Sequence, residues 1–487
     1  MGFKTDTSFL RFLSMGALGV QQTMKQLRAL GFEPIELERY CASNKIWMTK
    51  VKRLRLPDVL CVRTGLRVEV RAKSDLKIRM SDAPNNPERT WDAGLRNDDV
   101  AAFIAILEED AGRRAADEAV LFTIGALRDS LNQSRLGAPK SASEGAERDR
   151  TWPAIIPSRS GTVRTVSGEK LVVDMGGDGK PTRPQTYSLR GKRAYLRPGD
   201  TFKGDVSILA GAPARLADLS VFLGRAYDPV ADLRASNGVD RYAAVKALPQ
   251  RADLRERALA LLEAVLASES EERVALEAAG AAATLGSGAG QGYIERILWG
   301  DGRADLRMEA VLILTELGSA FAERELKRVA SDSRFAGDEI RQAAVWGLGK
   351  AGLKAYEQLI PFISDTDENV AMHAIVGFGN DTPERVIRLL VSELTMNDQR
   401  RSPAASESLR TIGNETVLRV LVEAAGGGRD WVVATLGRLS PALVRPALEG
   451  SSLLRQVTPM LLLSEGSNWL ASEDRVVDLA FLAKQNL

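Results

Sequence analysis

The chain has 487 residues, 44% of them hydrophobic and 27% charged, with a formal charge of +2, values ordinary for globular protein at a length that suits about three domains. One histidine, His373, and two cysteines, Cys41 and Cys61, exclude a disulfide framework and zinc sites built from His and Cys clusters, and leave a hydrolytic triad only His373 to use. A metal here must be held by carboxylates, which favours a hard ion such as Mg²⁺.

The near-neutral sum hides regional imbalance. Residues 1–80 carry a net +9, residues 81–150 −5, residues 151–205 +5 and the remainder −7. A polyanion would be drawn to the first and third regions. Lys4, Arg11, Lys25 and Arg28 interrupt the apolar positions at the start, so no signal peptide is expected, and no apolar run is long enough to span a bilayer. A cytoplasmic protein with no membrane partner is expected.

Taken in chain order, a helix is expected over residues 9–30 and a strand over 32–38. A basic stretch follows, with Lys50, Lys52, Arg53 and Arg55 near Trp47; these, with Arg67 further on, read as nucleic-acid contacts. Residues 57–62 (PDVLCV) and 66–74 (LRVEVRAKS) form a hairpin turned at Arg63-Thr64-Gly65. Strand alternation puts Arg67, Glu69, Arg71 and Lys73 on one face and Val68, Val70 and Ala72 on the other, against a core. Asp58 opens the partner strand and is placed to approach Glu69. Two carboxylates on adjacent strands can hold Mg²⁺ or Mn²⁺, which lowers the pKa of a bound water and offsets charge on a phosphate. A cation on the same face would stabilise the phosphorane. Downstream, Arg89 is a further nucleic-acid candidate, Asp98 and Asp99 read as the cap of a helix over 100–109, and residues 120–124 (VLFTI) read as a closing strand.

The order Pro57-Asp58, ten residues, then Glu69-x-Arg71 resembles the PD-(D/E)xK nuclease superfamily over residues 8–130. The resemblance implies a restriction-endonuclease-like αβββαβ core, a divalent metal on Asp58 and Glu69, and phosphodiester hydrolysis of DNA in preference to RNA. The catalytic positions carried over are Asp58, Glu69 and either Arg71 or Lys73. The superfamily's usual lysine, two residues after the acid, is Arg71 here. Either Lys73, one pleat further on, substitutes, or the site has lost activity. The first helix offers Gln21 and Gln22 where many members carry a glutamate.

Residues 132–150 are polar and poor in aromatics, and read as a linker between a front domain (1–131) and a small all-β barrel (151–212). Strands are expected at 160–166, 170–175, 186–189, 193–196 and 206–209, punctuated by Gly and Pro turns. A module of this size has a thin core and should lean on its neighbours. Its basic residues either touch phosphates or are simply solvated.

Residues 213–487 are expected to form an all-α solenoid, with clear repeats from about 240. Segments 277–286, 309–318, 340–349, 370–379 and 404–413 each end in glycine, at spacings of 32, 31, 30 and 34 residues. A large apolar residue precedes each glycine, which is expected to end its helix in a left-handed turn. Two helices per unit resemble HEAT-like repeats of the short, phycobilin-lyase type. His373 falls inside a repeat helix and is assigned no chemistry. The leading expectation is a metal-dependent nuclease on a helical scaffold, by analogy in bacterial restriction or antiphage defence. The scaffold would receive a protein partner or dock on its own basic front. The alternatives are a non-catalytic nucleic-acid binder with a degenerate nuclease fold, and a protein-interaction scaffold.

Overall fold

In the computed structural model, residues 7–37, 47, 54–109, 112–141, 146–176, 182–350, 352–427 and 430–466 are described. Helix α1 (Thr7–Ala29) ends where Gly31 takes a φ of +92° and the Phe32 N–H closes on the Leu27 carbonyl, a glycine cap. The helix lies flat on a β-sheet because it carries a glycine at the contact. A Cβ on Gly19 would fall 2.6 Å from the Ala72 Cβ and 3.1 Å from the Ile104 Cγ2.

That sheet contains β1 (Pro34–Glu36), β2 (Val59–Cys61), β3 (Arg67–Lys73), β5 (Val100–Glu109), β6 (Gly112–Ala115) and β7 (Val120–Thr123). Between β3 and β5 the chain makes a short excursion that contains β4 (Arg79–Asp82). The first three strands form an antiparallel meander. β5 runs parallel to β3, and β6 and β7 pair antiparallel with β5. Residues 100–109, expected as a capped helix, are therefore the central strand. The run VAAFIAI is at most 2% exposed throughout, because α1 covers one face and aromatic side chains cover the other. A short, continuous apolar run has no period that separates a buried helix from a strand covered on both sides. The expected closing strand is present as β7, followed by α2 (Ile124–Asp129).

Among the described residues of the expected linker there are two strands. β8 (Arg135–Leu136) and β9 (Arg148–Thr151) join β4 in a second sheet, ordered β4-β9-β8. Its inner face is fixed by Arg150, whose Nε sits 2.6 Å from the Asp82 Oδ2, while the other Asp82 oxygen accepts the Trp91 N–H.

The β module holds β10 (Ala154–Ile155), β11 (Gly161–Ser167), β12 (Lys170–Met175), β13 (Arg183–Ser188), β14 (Arg193–Ala194), β15 (Thr201–Phe202) and β16 (Ala210–Gly211), in a four-stranded sheet β13-β12-β11-β15 and a three-stranded sheet β10-β16-β14. The strand expected over 206–209 is instead an irregular approach to β16. Its own core is small: Val163, Leu171, Val173, Phe202, Leu209 and a few neighbours. It leans on the front, as its size requires. Trp152 packs edge-on to Trp91 with centroids 5.1 Å apart and donates its Nε1–H to the Leu127 carbonyl, and Tyr195 packs on Phe122.

Helices α3 (Pro229–Asp232), α4 (Gly238–Ala247), α5 (Arg255–Ser268) and α6 (Glu272–Thr284) follow. The chain divides into two units: residues 15–41 and 53–281, with the α/β sheet, the β module and the first helices, form one, and residues 1–14, 42–52 and 282–487 form the other.

The second unit contains α7 (Gly288–Trp299), α8 (Ala304–Leu317), α9 (Ala320–Ser331), α10 (Glu339–Leu348), α11 (Tyr356–Leu359), α12 (Glu368–Val376), α13 (Glu384–Leu394), α14 (Arg401–Ile412), α15 (Glu415–Ala424), α16 (Asp430–Gly437), α17 (Pro441–Ala447) and α18 (Ser452–Gly466). It is an all-helical repeat. Of the five expected left-handed glycines, Gly286, Gly318 and Gly413 have φ of +91°, +56° and +53°. Gly349 has a φ of −83°, and its glycine is required for another reason: a Cβ there would fall 2.7 Å from the Gly377 Cα of the next repeat. His373 is fully buried with its ring 5.3 Å from that of Trp47, in keeping with a structural role. Among the described residues no helix is long and apolar enough to cross a membrane.

Candidate active site on the β2–β3 hairpin

Pro57 ends the β2 ladder because it has no N–H to give. The register Val59↔Val68 and Leu60↔Arg67 then places the next residue, Asp58, across from Glu69. Beyond the last paired residue β3 still has amide groups to satisfy, and Asp58 supplies the acceptor: its Oδ2 takes the Val70 N–H at 2.6 Å. Both acids are 8% exposed. Glu69 forms an ion pair with Arg71. Glu69, Arg71 and Lys73 alternate along β3 on the face away from Ala72 and α1, and Asp58 lies across the strand pair from Glu69.

Lys73 is the unusual member. It is half-buried and makes no hydrogen bond or ion pair among the described residues. Burial, with the nearby Arg79 and Arg71 charges, pushes its ammonium down to about 8. A lysine in this condition can exchange a proton near neutral pH. Cys61 on β2 is the opposite case: burial pushes its thiol up to about 12, so it is not a nucleophile.

The sequence-derived nucleic-acid contacts divide. Lys50, Lys52 and Arg53 lie outside the described residues. Arg55 is half-buried and its guanidinium donates to the Thr90 and Trp91 carbonyls; burial lowers its pKa against the opposing pull of Glu69. Arg67 is a correction. It is 2% exposed, its Nε and Nη2 grip Asp99 at 2.9 and 2.6 Å, and its Nη1 meets Asp240 of α4 at 2.7 Å. Alternation puts Arg67 with Glu69, but one pleat toward the start of β3 that face is closed by the Asp99 loop and α4. Asp99, expected as a helix cap, instead accepts the Arg96 N–H and the Arg67 guanidinium. Arg89 is exposed and pairs with Glu147 at 3.4 Å.

Sequence reasoning missed the other charges around the hairpin. Arg79 on β4, and Lys140, Glu147 and Asp149 from the supposed linker, surround Lys73 and Arg55. Their only sequence signal is the alternation in residues 148–151 (RDRT) just before Trp152.

The donors suit a hard cation in kind, since both are carboxylates, with the Val70 carbonyl between Glu69 and Arg71 as a third oxygen. Among the described residues no group of three or more His, Cys, Asp or Glu side chains could hold a metal. A Mg²⁺ or Mn²⁺ on Asp58 and Glu69 would therefore complete its shell with water and substrate oxygens.

No protein-family model and no curated protein matches the chain. Among solved structures, it is similar to the complex of CpcE and CpcF of phycocyanin lyase from Nostoc sp. PCC7120, at 19% identity over 51% of this chain and 97% of that one, with a TM-score of 0.25. It is also similar to the E. coli protein YibA, at 14% identity over 43% of this chain and 79% of that one, with a TM-score of 0.24.

Proposed function

We propose that the front of the chain is a metal-dependent nuclease of PD-(D/E)xK type acting on DNA in preference to RNA, and that the helical repeat is a scaffold for a protein partner. The observation that carries this reading is the β2–β3 register, which sets Asp58 opposite Glu69 with Lys73 on the same face. The strand order β1-β2-β3-β5-β7, with β3 and β5 parallel, supports it as the sheet of an αβββαβ core, although the β3–β5 crossover carries no α-helix. Mg²⁺ held by Asp58 and Glu69 would polarise a water and offset phosphate charge. Lys73, near neutrality, takes the proton from the attacking water. Arg71 and Arg55 face the charge that builds on the phosphate oxygens.

Full-length protein is incubated with plasmid DNA in Mg²⁺, Mn²⁺ or EDTA beside Asp58→Ala and Glu69→Ala. Cleavage by wild type alone, abolished by EDTA, is expected. Equal nicking by wild type and both variants would reject the proposal. A second reading, a nucleic-acid binder with an inactive site, is favoured by the Glu69–Arg71 ion pair, since it engages the second acid with the chain's own cation. It predicts salt-sensitive binding without cleavage.

A further inference from the structure

The hairpin site is bordered by a cation bed larger than the catalytic set. Arg79 and Lys140 join Arg55, Arg71, Lys73 and Arg89. The Arg79 Nε is buried without a hydrogen-bond partner among the described residues, and Lys73 has none either. Two acids from β9 and the residue before it lie against this bed. Pairing of Ser81 with Asp149 and of Arg79 with Thr151 puts Ser81, Arg79, Asp149 and Glu147 on one face of the β4–β9 ribbon. The opposite face carries the buried Asp82–Arg150 pair. On the outer face Asp149 meets Arg79 at 3.3 Å and Lys140 at 3.0 Å, while Glu147 meets Lys140 at 2.7 Å and Arg89 at 3.4 Å. Arg55 feels the charge of Glu147 as well as Glu69, and Lys73 feels Asp149. Glu147 and Asp149 thus set two negative charges against these cations, the charges that backbone phosphates would bring.

We propose that β9 is an autoinhibitory strap: Glu147 and Asp149 hold the cations beside the β2–β3 hairpin that a DNA backbone would otherwise engage, and DNA must displace them to reach the site. The proposal rests on the nuclease reading. Freeing cations for two phosphates predicts about tenfold tighter binding and a steeper fall of affinity with salt, because each added phosphate contact releases counterions.

The test uses full-length protein and a short fluorescein-labelled DNA duplex in EDTA, with anisotropy read across a salt series. Glu147→Gln/Asp149→Asn should bind about tenfold tighter than wild type with a larger salt slope. Asp117→Asn/Asp218→Asn removes the same charge from exposed positions away from the hairpin and should change affinity far less. The isosteric single variants carry the same expectation at smaller size, so a double variant that fails to fold still leaves the question decided. Strap variants that bind no tighter than wild type, or no tighter than the control pair, overturn the strap while Asp58-dependent cleavage still stands. Absence of DNA binding and cleavage in every protein overturns the strap and the nuclease reading together.

Discussion

The two units handle charge differently. In the front unit the most buried cation, Arg67, finds Asp99 and Asp240, which are 32 and 173 residues away. In the helical repeat the pairs run between adjacent repeats or along one helix: Arg341 with Asp365, Arg438 with Glu407, Arg388 with Glu384 and Glu423. A sheet assembled from distant segments can enclose a charge completely. A stacked array pairs its charges with near neighbours instead, on an accessible rim or buried, as Glu325 is at 0% exposed between Arg324, Arg328 and Trp299. The front is therefore where charges from distant segments meet in one enclosed cluster, and the exposed rim of the array is where charge substitutions should be tolerated.

The largest test of that contrast is Arg67→Met. It leaves Asp99 and Asp240 without their shared cation in a site where Arg67 is 2% exposed, and loss of one member of a buried charge cluster costs roughly 3–5 kcal/mol. Urea unfolding followed by tryptophan fluorescence should show an earlier transition. Burial already holds Asp99 above its ordinary value despite Arg67. Without Arg67 its folded-state pKa rises further above the unfolded one. The folded variant then takes up a proton that the unfolded chain does not, so its deficit shrinks as pH falls. A deficit that grows on acidification would contradict this assignment.

Next in size is backbone packing in the array. Gly318→Ala places a Cβ at a φ of +56° and 2.4 Å from the Gly352 carbonyl oxygen, so left-handed strain adds to a backbone clash; roughly 2–4 kcal/mol is expected. Gly286→Ala meets strain alone at a φ of +91° with nothing within 4 Å, and about 1 kcal/mol is expected. Thermal melts of the two variants should differ in that order. Equal losses would mean that the repeats do not approach each other at Gly318 as described.

The same contrast decides which parts of the fold and the site are legible in the amino-acid order alone. The glycine period and the apolar residue ahead of each glycine foretell the repeat, because each helix is shaped by neighbours about 32 residues away. The Asp58–Glu69 juxtaposition is legible for a similar reason, since a hairpin makes a local register. The central strand is not, because an apolar run buried on both faces shows no alternation to mark it as a strand. Arg67 is misplaced by alternation because its closing acid, Asp240, comes from a helix that no local pattern connects to β3. Residues 146–151 have the composition of a linker because their polar side chains stay half-exposed while pairing with Arg79, Arg89 and Lys140.

Lys73 offers a smaller, pH-dependent test within the front unit. The unfolded chain holds this proton to about 10.5, whereas the folded protein releases it near 8. Between those values the unfolded state binds more protons, so stability rises with pH. Lys73→Met should abolish that rise, seen as equal unfolding midpoints at the two ends of the window once other groups are matched. If Lys73 is the proton acceptor, wild-type cleavage should climb to a plateau above pH about 8, and Lys73→Arg should remove the inflection. A wild-type cleavage rate that stays flat through this range would assign the proton to another group.

The smallest effect belongs to the rim of the array. Glu384, Arg388, Arg419 and Glu423 form an alternating exposed cluster that joins α13 to α15 through pairs at 2.6–2.9 Å. Their side chains are 42–49% exposed, so solvent and salt screen the attraction and the long side chains lose freedom by pairing. Arg419→Ala should leave the melting midpoint of the full chain unchanged within error at both low and high salt. A clear drop at low salt that disappears at high salt would show that the rim charges act as a network, and the division between an energetically charged front and a neutral rim would then have to be redrawn.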